Sequence, residues 1–167
     1  MLFRFLLSAS LKRLTQSLAN ANAINAKMWV FHPGQRTGIG QFYPGADFKT
    51  MCQSIQKLYA IAEEYGINIA LENLPAKYWF LMNTPEEFMR MYKETNLPIG
   101  ITMDLGHANL EGQIQPFFNM LADKIVHIHA SNNDGSETNT TASKTATSTT
   151  NGLRKPSTKS ATTKPSL

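Results

Sequence analysis

Apolar residues recur at helical spacing near the start of the chain, where Leu11, Leu14 and Leu18 predict a helix over about residues 9–25. The period then changes. Lys27–Phe31 reads as a strand ending at His32-Pro33-Gly34, and a glycine-containing loop runs on to Asp47. Phe48, Met51, Ile55, Leu58 and Ala62 return to one stripe and predict a helix over about 47–65, stopped by Gly66. Ile67–Glu72 is the second strand. Thr84-Pro85-Glu86-Glu87 then supplies an N-cap, a proline at the first helical position and a capping-box glutamate, which predicts a helix to about Thr95. Ile99–Asp104, a helix near 113–122, and the strand Lys124–His129 complete the pattern. Alternating β and α segments predict an α/β fold, a parallel sheet with crossover helices.

Side chains alternate faces along a strand, so each strand can be split into two faces. Ile67, Ile69 and Leu71 share one face of the second strand; Asn68, Ala70 and Glu72 share the other. The third strand divides into Ile99, Ile101, Met103 and Gly100, Thr102, Asp104. The fourth sets Val126 and Ile128 against His127 and His129. In each, a bulky apolar face is suited to packing on helices. The opposite face is small or polar and ends in a metal-ligand type at the C-terminal end of the strand. The strand before His32 fits less cleanly, because Met28 and Val30 lie on the histidine's face. All four histidines (His32, His107, His127, His129) lie at strand ends or just beyond. Parallel strands bring such ends to one rim, where barrel enzymes place their functional groups. Carboxylate oxygens and imidazole nitrogens together suit Zn²⁺, Mn²⁺ or similar ions. Each residue also has a plainer use: Asp104 as an N-cap, Glu72 as an ion-pair partner, His127 as a structural group.

Composition divides the chain near Gly135. Residues 1–135 hold 11 Lys/Arg against 11 Asp/Glu, whereas residues 136–167 hold 5 against 1, so the whole net charge of +4 sits in the tail. A neutral body carries no electrostatic footprint for nucleic acid. Ser and Thr make up 16 of the last 32 residues, a composition that cannot offset its ordering entropy, so 136–167 is expected to be disordered. The Asn139-Thr140-Thr141 match to a glycosylation acceptor matters only after secretion. The single cysteine, Cys52, excludes an internal disulfide and a cysteine zinc motif, and falls in a helix as a buried thiol. No apolar run reaches the roughly 18 residues of a membrane span. The apolar start is broken by Arg4 and reads as a helix start in place of a signal peptide. A cytoplasmic protein is expected.

With these strand ends in hand, VFHPG (30–34), ALENLP (70–75), MDLGHAN (103–109) and IVHIHASNNDG (125–135) resemble, in order and spacing, successive strand-end motifs of the xylose isomerase-like TIM-barrel superfamily. That group includes sugar and sugar-phosphate isomerases and epimerases and the endonuclease IV type of DNA-repair enzyme. The resemblance covers about residues 10–135 and implies a partial (β/α) barrel, domain 1–135, with about four parallel strands. It implies metal ligation by Glu72, Asp104 and His129, with His32 a further zinc ligand in the nuclease branch. His107 matches a histidine that contacts substrate in the epimerases, and Glu72 and His107 are the implied catalytic pair.

The resemblance also predicts what is missing. The first two strands of the family are not found before residue 10, nor the last two after Gly135, nor the fourth ligand, a glutamate from the final strand. Three readings follow. The first is an isomerase or epimerase acting on a small sugar or sugar phosphate, with a divalent metal (Zn or Mn, else Mg or Co) stabilising an enediolate. The second is an endonuclease IV-like zinc phosphodiesterase, disfavoured by the neutral body. The third is a truncated, non-catalytic barrel fragment, whose open sheet edges favour association, including a homo-oligomer that closes the barrel. The loop 35–46 is expected to cover the pocket. Arg36 is a candidate for a substrate phosphate, and Lys77 and Trp79 are candidates for the pocket wall.

Overall fold

The computed structural model describes residues 2–130, and side chains from Leu7 onward. The tail 136–167 expected to be disordered lies outside the described residues. Four strands form one sheet in the order β1 (Met28–Phe31), β2 (Asn68–Glu72), β3 (Gly100–Asp104), β4 (Ile125–His129), every neighbouring pair parallel. α1 (Leu2–Ala23) precedes β1; α2 (Ile39–Phe42) and α3 (Ala46–Glu64) lie between β1 and β2, α4 (Pro85–Thr95) between β2 and β3, and α5 (Leu105–Leu110) and α6 (Ile114–Leu121) between β3 and β4. Sequential parallel strands with one helical crossover each are the repeating unit of a (β/α) barrel.

The helices cover the outer face of the sheet, as the apolar stripes require. α1 packs on α3, α3 on α4 and α4 on α6. Ile55, Leu58 and Ala62 of α3 are buried against Ile69 and Leu71 of β2 in the same core. Phe88 of α4 and Phe117 of α6 meet edge to face at 5.5 Å, both fully buried. Trp29 and Phe31 stack at 4.7 Å on the outer face of β1, and Trp29 Nε1 donates to Ser17 Oγ of α1 at 3.1 Å. Each fully buried side chain of this size contributes about 1.5–3 kcal/mol. Cys52 is a buried free thiol, and burial first, with Glu94 adding and Arg90 opposing, pushes it up to about 11.

Local signals set the helix ends. Gly66, at φ 64°, follows the last turn of α3, and Ile67 N–H returns to Ala62 O at 2.9 Å. Thr84 Oγ1 accepts Glu87 N–H at 3.4 Å. Glu87 Oε2 reaches one residue further back than a capping box requires and accepts Asn83 N–H at 2.8 Å.

Four features differ from the sequence reading. α1 begins at Leu2, well ahead of residue 9. The loop 35–46 contains the short α2. A further helix, α5, follows β3 directly; Asp104 caps it, with Oδ1 accepting His107 N–H at 2.8 Å. Finally, the simple alternation predicted for β4 fails. Ile101 pairs with Ile125 but Thr102 pairs with His127, so Val126 is an extra residue. Such a bulge breaks the two-residue period. Gly100 makes room for it: a Cβ there would lie 2.5 Å from Val126 Cγ2. Val126 therefore sits over the small-residue face of β3 and not on the helix side. Val126 is 56% and Ile128 39% exposed, since β4 has no strand on its far edge among the described residues.

Candidate metal and sugar site

The register of the sheet decides which strand-end groups can meet. Glu72 pairs with Thr102, and Asp104 pairs with His129. The C-terminal ends of β2, β3 and β4 thus deliver two carboxylates and one imidazole to one rim. Glu72, Asp104 and His129 each offer a ligand atom, and these three atoms all lie within 4.8 Å of one another. Glu72 and Asp104 are buried and His129 is partly exposed.

Glu72 is the hub. Its Oε1 accepts from His129 Nδ1 at 3.1 Å, and its Oε2 lies 3.4 Å from His32 Nε2. His107 Nδ1 is 3.7 Å from Glu72 Oε1 and 3.9 Å from Asp104 Oδ2. Burial by itself would raise the Glu72 carboxyl, but hydrogen bonds from His32 and His129 and their positive charge outweigh it and hold the group below the usual carboxylate range. The same hydrogen bond to Glu72 raises His32 above the ordinary histidine value, against the opposing effect of its burial.

His32 approaches Glu72 but stands outside the trio. His107 stands close to both carboxylates, and its ring is held by the main chain: Nδ1 donates to Asn73 O at 2.9 Å. His127 is exposed and meets the His129 ring edge-on at 5.2 Å. Arg36, read as a phosphate-binding candidate, pairs with Glu87. Lys77 lies over the Tyr78 ring at 5.8 Å, and Trp79 is 59% exposed. The β1 and β2 loops are tied across the rim. Gln35 bridges Phe80, Arg36 N–H donates to Trp79 O at 2.6 Å, and Leu81 N–H to Gly34 O at 3.0 Å. This ribbon puts Phe80 edge-on to His32 at 6.4 Å, a wall that the sequence reading did not single out.

Two further residues were missed. Asn73, 1% exposed, bonds both backbone groups of Asp104. Thr102, fully buried on the ligand face between Glu72 and Asp104, has a hydroxyl without a hydrogen-bond partner among the described residues. The only signal for either was a polar residue inside an apolar run. Two ionisable carboxylates and a neutral-capable imidazole, gathered at a partly open rim, fit a divalent cation of the Zn²⁺ or Mn²⁺ type.

Parallel βα units, the rim site and its donor set define a metal-capable α/β barrel segment. The chain matches the family model for the xylose isomerase-like TIM barrel over residues 6–148 and belongs to that family. It is 31% identical over 126 residues to the uncharacterised protein MJ1311 of Methanocaldococcus jannaschii, covering 73% of this chain and 43% of that relative. A crystal structure of a D-tagatose 3-epimerase-like protein superposes with a TM-score of 0.68 at 27% identity, over 78% of this chain and 50% of that one. The xylose isomerase domain protein of Planctomyces limnophilus superposes with a TM-score of 0.61 at 15% identity, over 75% and 42%. The chain therefore spans half or less of the length of these relatives. No helix of the described residues is long and apolar enough to cross a membrane.

Proposed function

We propose that this chain supplies the carboxylate–histidine part of a divalent-cation site in a sugar or sugar-phosphate isomerase or epimerase. The observation that carries this reading is the convergence of Glu72, Asp104 and His129 within 4.8 Å at one barrel rim. These three would hold the cation, with His32 beside Glu72 as a further donor. When bound, the cation would polarise neighbouring sugar oxygens and stabilise the enediolate left when the proton next to the carbonyl is removed.

The chain's own groups supply the rest. Glu72 is held in its ionised form by its histidine neighbours and can accept a proton. His107, with Nδ1 turned to Asn73 O, keeps Nε2 for proton exchange with a sugar hydroxyl. The tied loops and Phe80 give an apolar wall against the C–H face of a sugar. Barrel segment 1–135 carries this chemistry and the Ser/Thr-rich 136–167 does not. The buried, unpaired thiol of Cys52 supports a reducing compartment such as the cytoplasm.

The test is cation binding by calorimetry on the purified chain. Stoichiometric Zn²⁺ or Mn²⁺ binding, abolished by Glu72→Gln and lost or greatly weakened in His129→Ala, is the expected result. Binding indifferent to both substitutions, or none at all, refutes the reading.

A further inference from the structure

Glu72 and Asp104 come from adjacent strands, yet the strand pairing of β2 with β3 stops at Glu72 and Thr102. Asn73 N–H still reaches Thr102 O at 3.3 Å, and then the chain turns away, with Leu74 N–H donating to Met82 O at 3.2 Å. At that point the Asn73 side chain takes over from the backbone. Its Oδ1 accepts Asp104 N–H at 2.6 Å, and its Nδ2 donates to Asp104 O at 3.1 Å. A carboxamide presents one donor and one acceptor in one plane, as a peptide group does. It therefore adds one rung to the ladder at the residue that carries the second carboxylate. The rung is buried, Asn73 being 1% exposed, so water is not at hand to replace it.

The main chain of the same residue acts on the histidine. A carbonyl oxygen has no proton to give, so the 2.9 Å contact of Asn73 O with His107 Nδ1 requires the proton on Nδ1. His107 is held from a second side, since its backbone N–H donates to Asp104 Oδ1 at 2.8 Å. Asn73 thus touches both Asp104 and His107 and determines where each points.

We propose that Asn73 is a positioning residue of the site: its carboxamide extends the β2–β3 ladder to orient Asp104, and its carbonyl locks His107 in the Nδ1–H tautomer. This rests on the reading of Glu72, Asp104 and His107 given above. Groups that orient metal ligands in this way typically affect cation affinity by about 10–100-fold when lost. Asn83 is a matched control. It is also a buried asparagine, with Nδ2 donating to Leu74 O at 2.9 Å, but it bonds neither Asp104 nor His107.

The experiment uses the full chain, ¹⁵N-labelled and metal-free, as wild type, Asn73→Ala, Asn73→Asp and Asn83→Ala. Long-range ¹H–¹⁵N spectra report the His107 tautomer, assigned by the signal lost in His107→Gln. Calorimetry reports Zn²⁺ affinity. The expected result is a single Nδ1–H tautomer in the wild type and in all three variants, since each keeps the main-chain carbonyl at position 73, and a loss of Zn²⁺ affinity of about 10–100-fold in Asn73→Ala but not in Asn83→Ala. Should Asn73→Ala not fold, Asn73→Asp keeps the size and the acceptor but loses the donor to Asp104 O, and it is expected to weaken Zn²⁺ binding while keeping the Nδ1–H tautomer. An Nε2–H tautomer of His107 in the wild type, an unchanged Zn²⁺ affinity in the Asn73 variants, or an equal loss of affinity in Asn83→Ala, overturns the proposal. If Glu72→Gln binds Zn²⁺ as tightly as wild type, the cation reading fails instead, and the tautomer result alone then decides the role of Asn73.

Discussion

Glu72→Gln removes the central charge of the site while keeping its shape, and the structure predicts that its effect on stability depends on pH. Glu72 lies below its ordinary value of 4.5, because hydrogen bonds from His32 and His129 exceed the cost of its burial. A lowered carboxylate contributes stability that is present above the ordinary value and lost as pH falls through the lowered one. His32 lies above its ordinary value of 6.5, chiefly through the hydrogen bond to Glu72. A raised histidine contributes stability that is fully present below the ordinary value and lost as pH rises through the raised one. Both contributions therefore coexist between pH 4.5 and 6.5. The His32 side chain is 60% exposed, so solvent screens the pair and its share is about 0.2–1 kcal/mol. As the pH rises through the raised His32 value that share is lost, and the buried carboxylate retains its desolvation cost, which the glutamine does not bear. Urea melts followed by circular dichroism in EDTA, at about pH 5.5 and pH 8, measure the difference. The variant is expected to be the less stable protein at the lower pH by up to about 1 kcal/mol, and equal to or better than wild type at the higher. Molar salt should shrink the low-pH gap. A deficit of the same size at both values, or one that grows at pH 8, refutes the reasoning.

Two other substitutions test the sheet beneath the site. Thr102→Val removes a buried hydroxyl that has no partner among the described residues, so it should raise stability by about 1 kcal/mol in the same melts; a loss would show that the hydroxyl is bonded. Gly100→Ala places a Cβ 2.5 Å from Val126 Cγ2 and should cost about 1–3 kcal/mol by overpacking, with Gly100→Ala/Val126→Ala recovering most of it. No recovery in the double variant would place the strain elsewhere.

Much of this site is legible in the sequence, because two periodicities coincide. Helical stripes such as Phe48, Met51, Ile55, Leu58 and Ala62 mark where each crossover lies, and strand parity then assigns Glu72, Asp104 and His129 to one face. Both depend only on neighbours in the chain. The contacts that escaped such reading join residues far apart in sequence. Arg36 finds Glu87 across 51 positions, and Asn73 finds Asp104 across 31. The six residues of α5 are too few to show a stripe, although their cap, Asp104, was visible as one. The bulge at Val126 is a property of two strands together: Gly100 on β3 leaves the space that the extra residue of β4 fills.

The three ligand candidates are not held equally. Glu72 and Asp104 lie on the two inner strands, and the Asn73 carboxamide ties the second of them to the first strand. His129 lies on β4, whose far edge has no strand beside it among the described residues, and it is the most exposed of the three. Its ring is aligned by Glu72 at 3.1 Å and flanked by His127, and the bulge at Val126, immediately before His127, already twists the strand. The carboxylate pair is thus held by the two inner strands, whereas the imidazole is held through its hydrogen bond to Glu72.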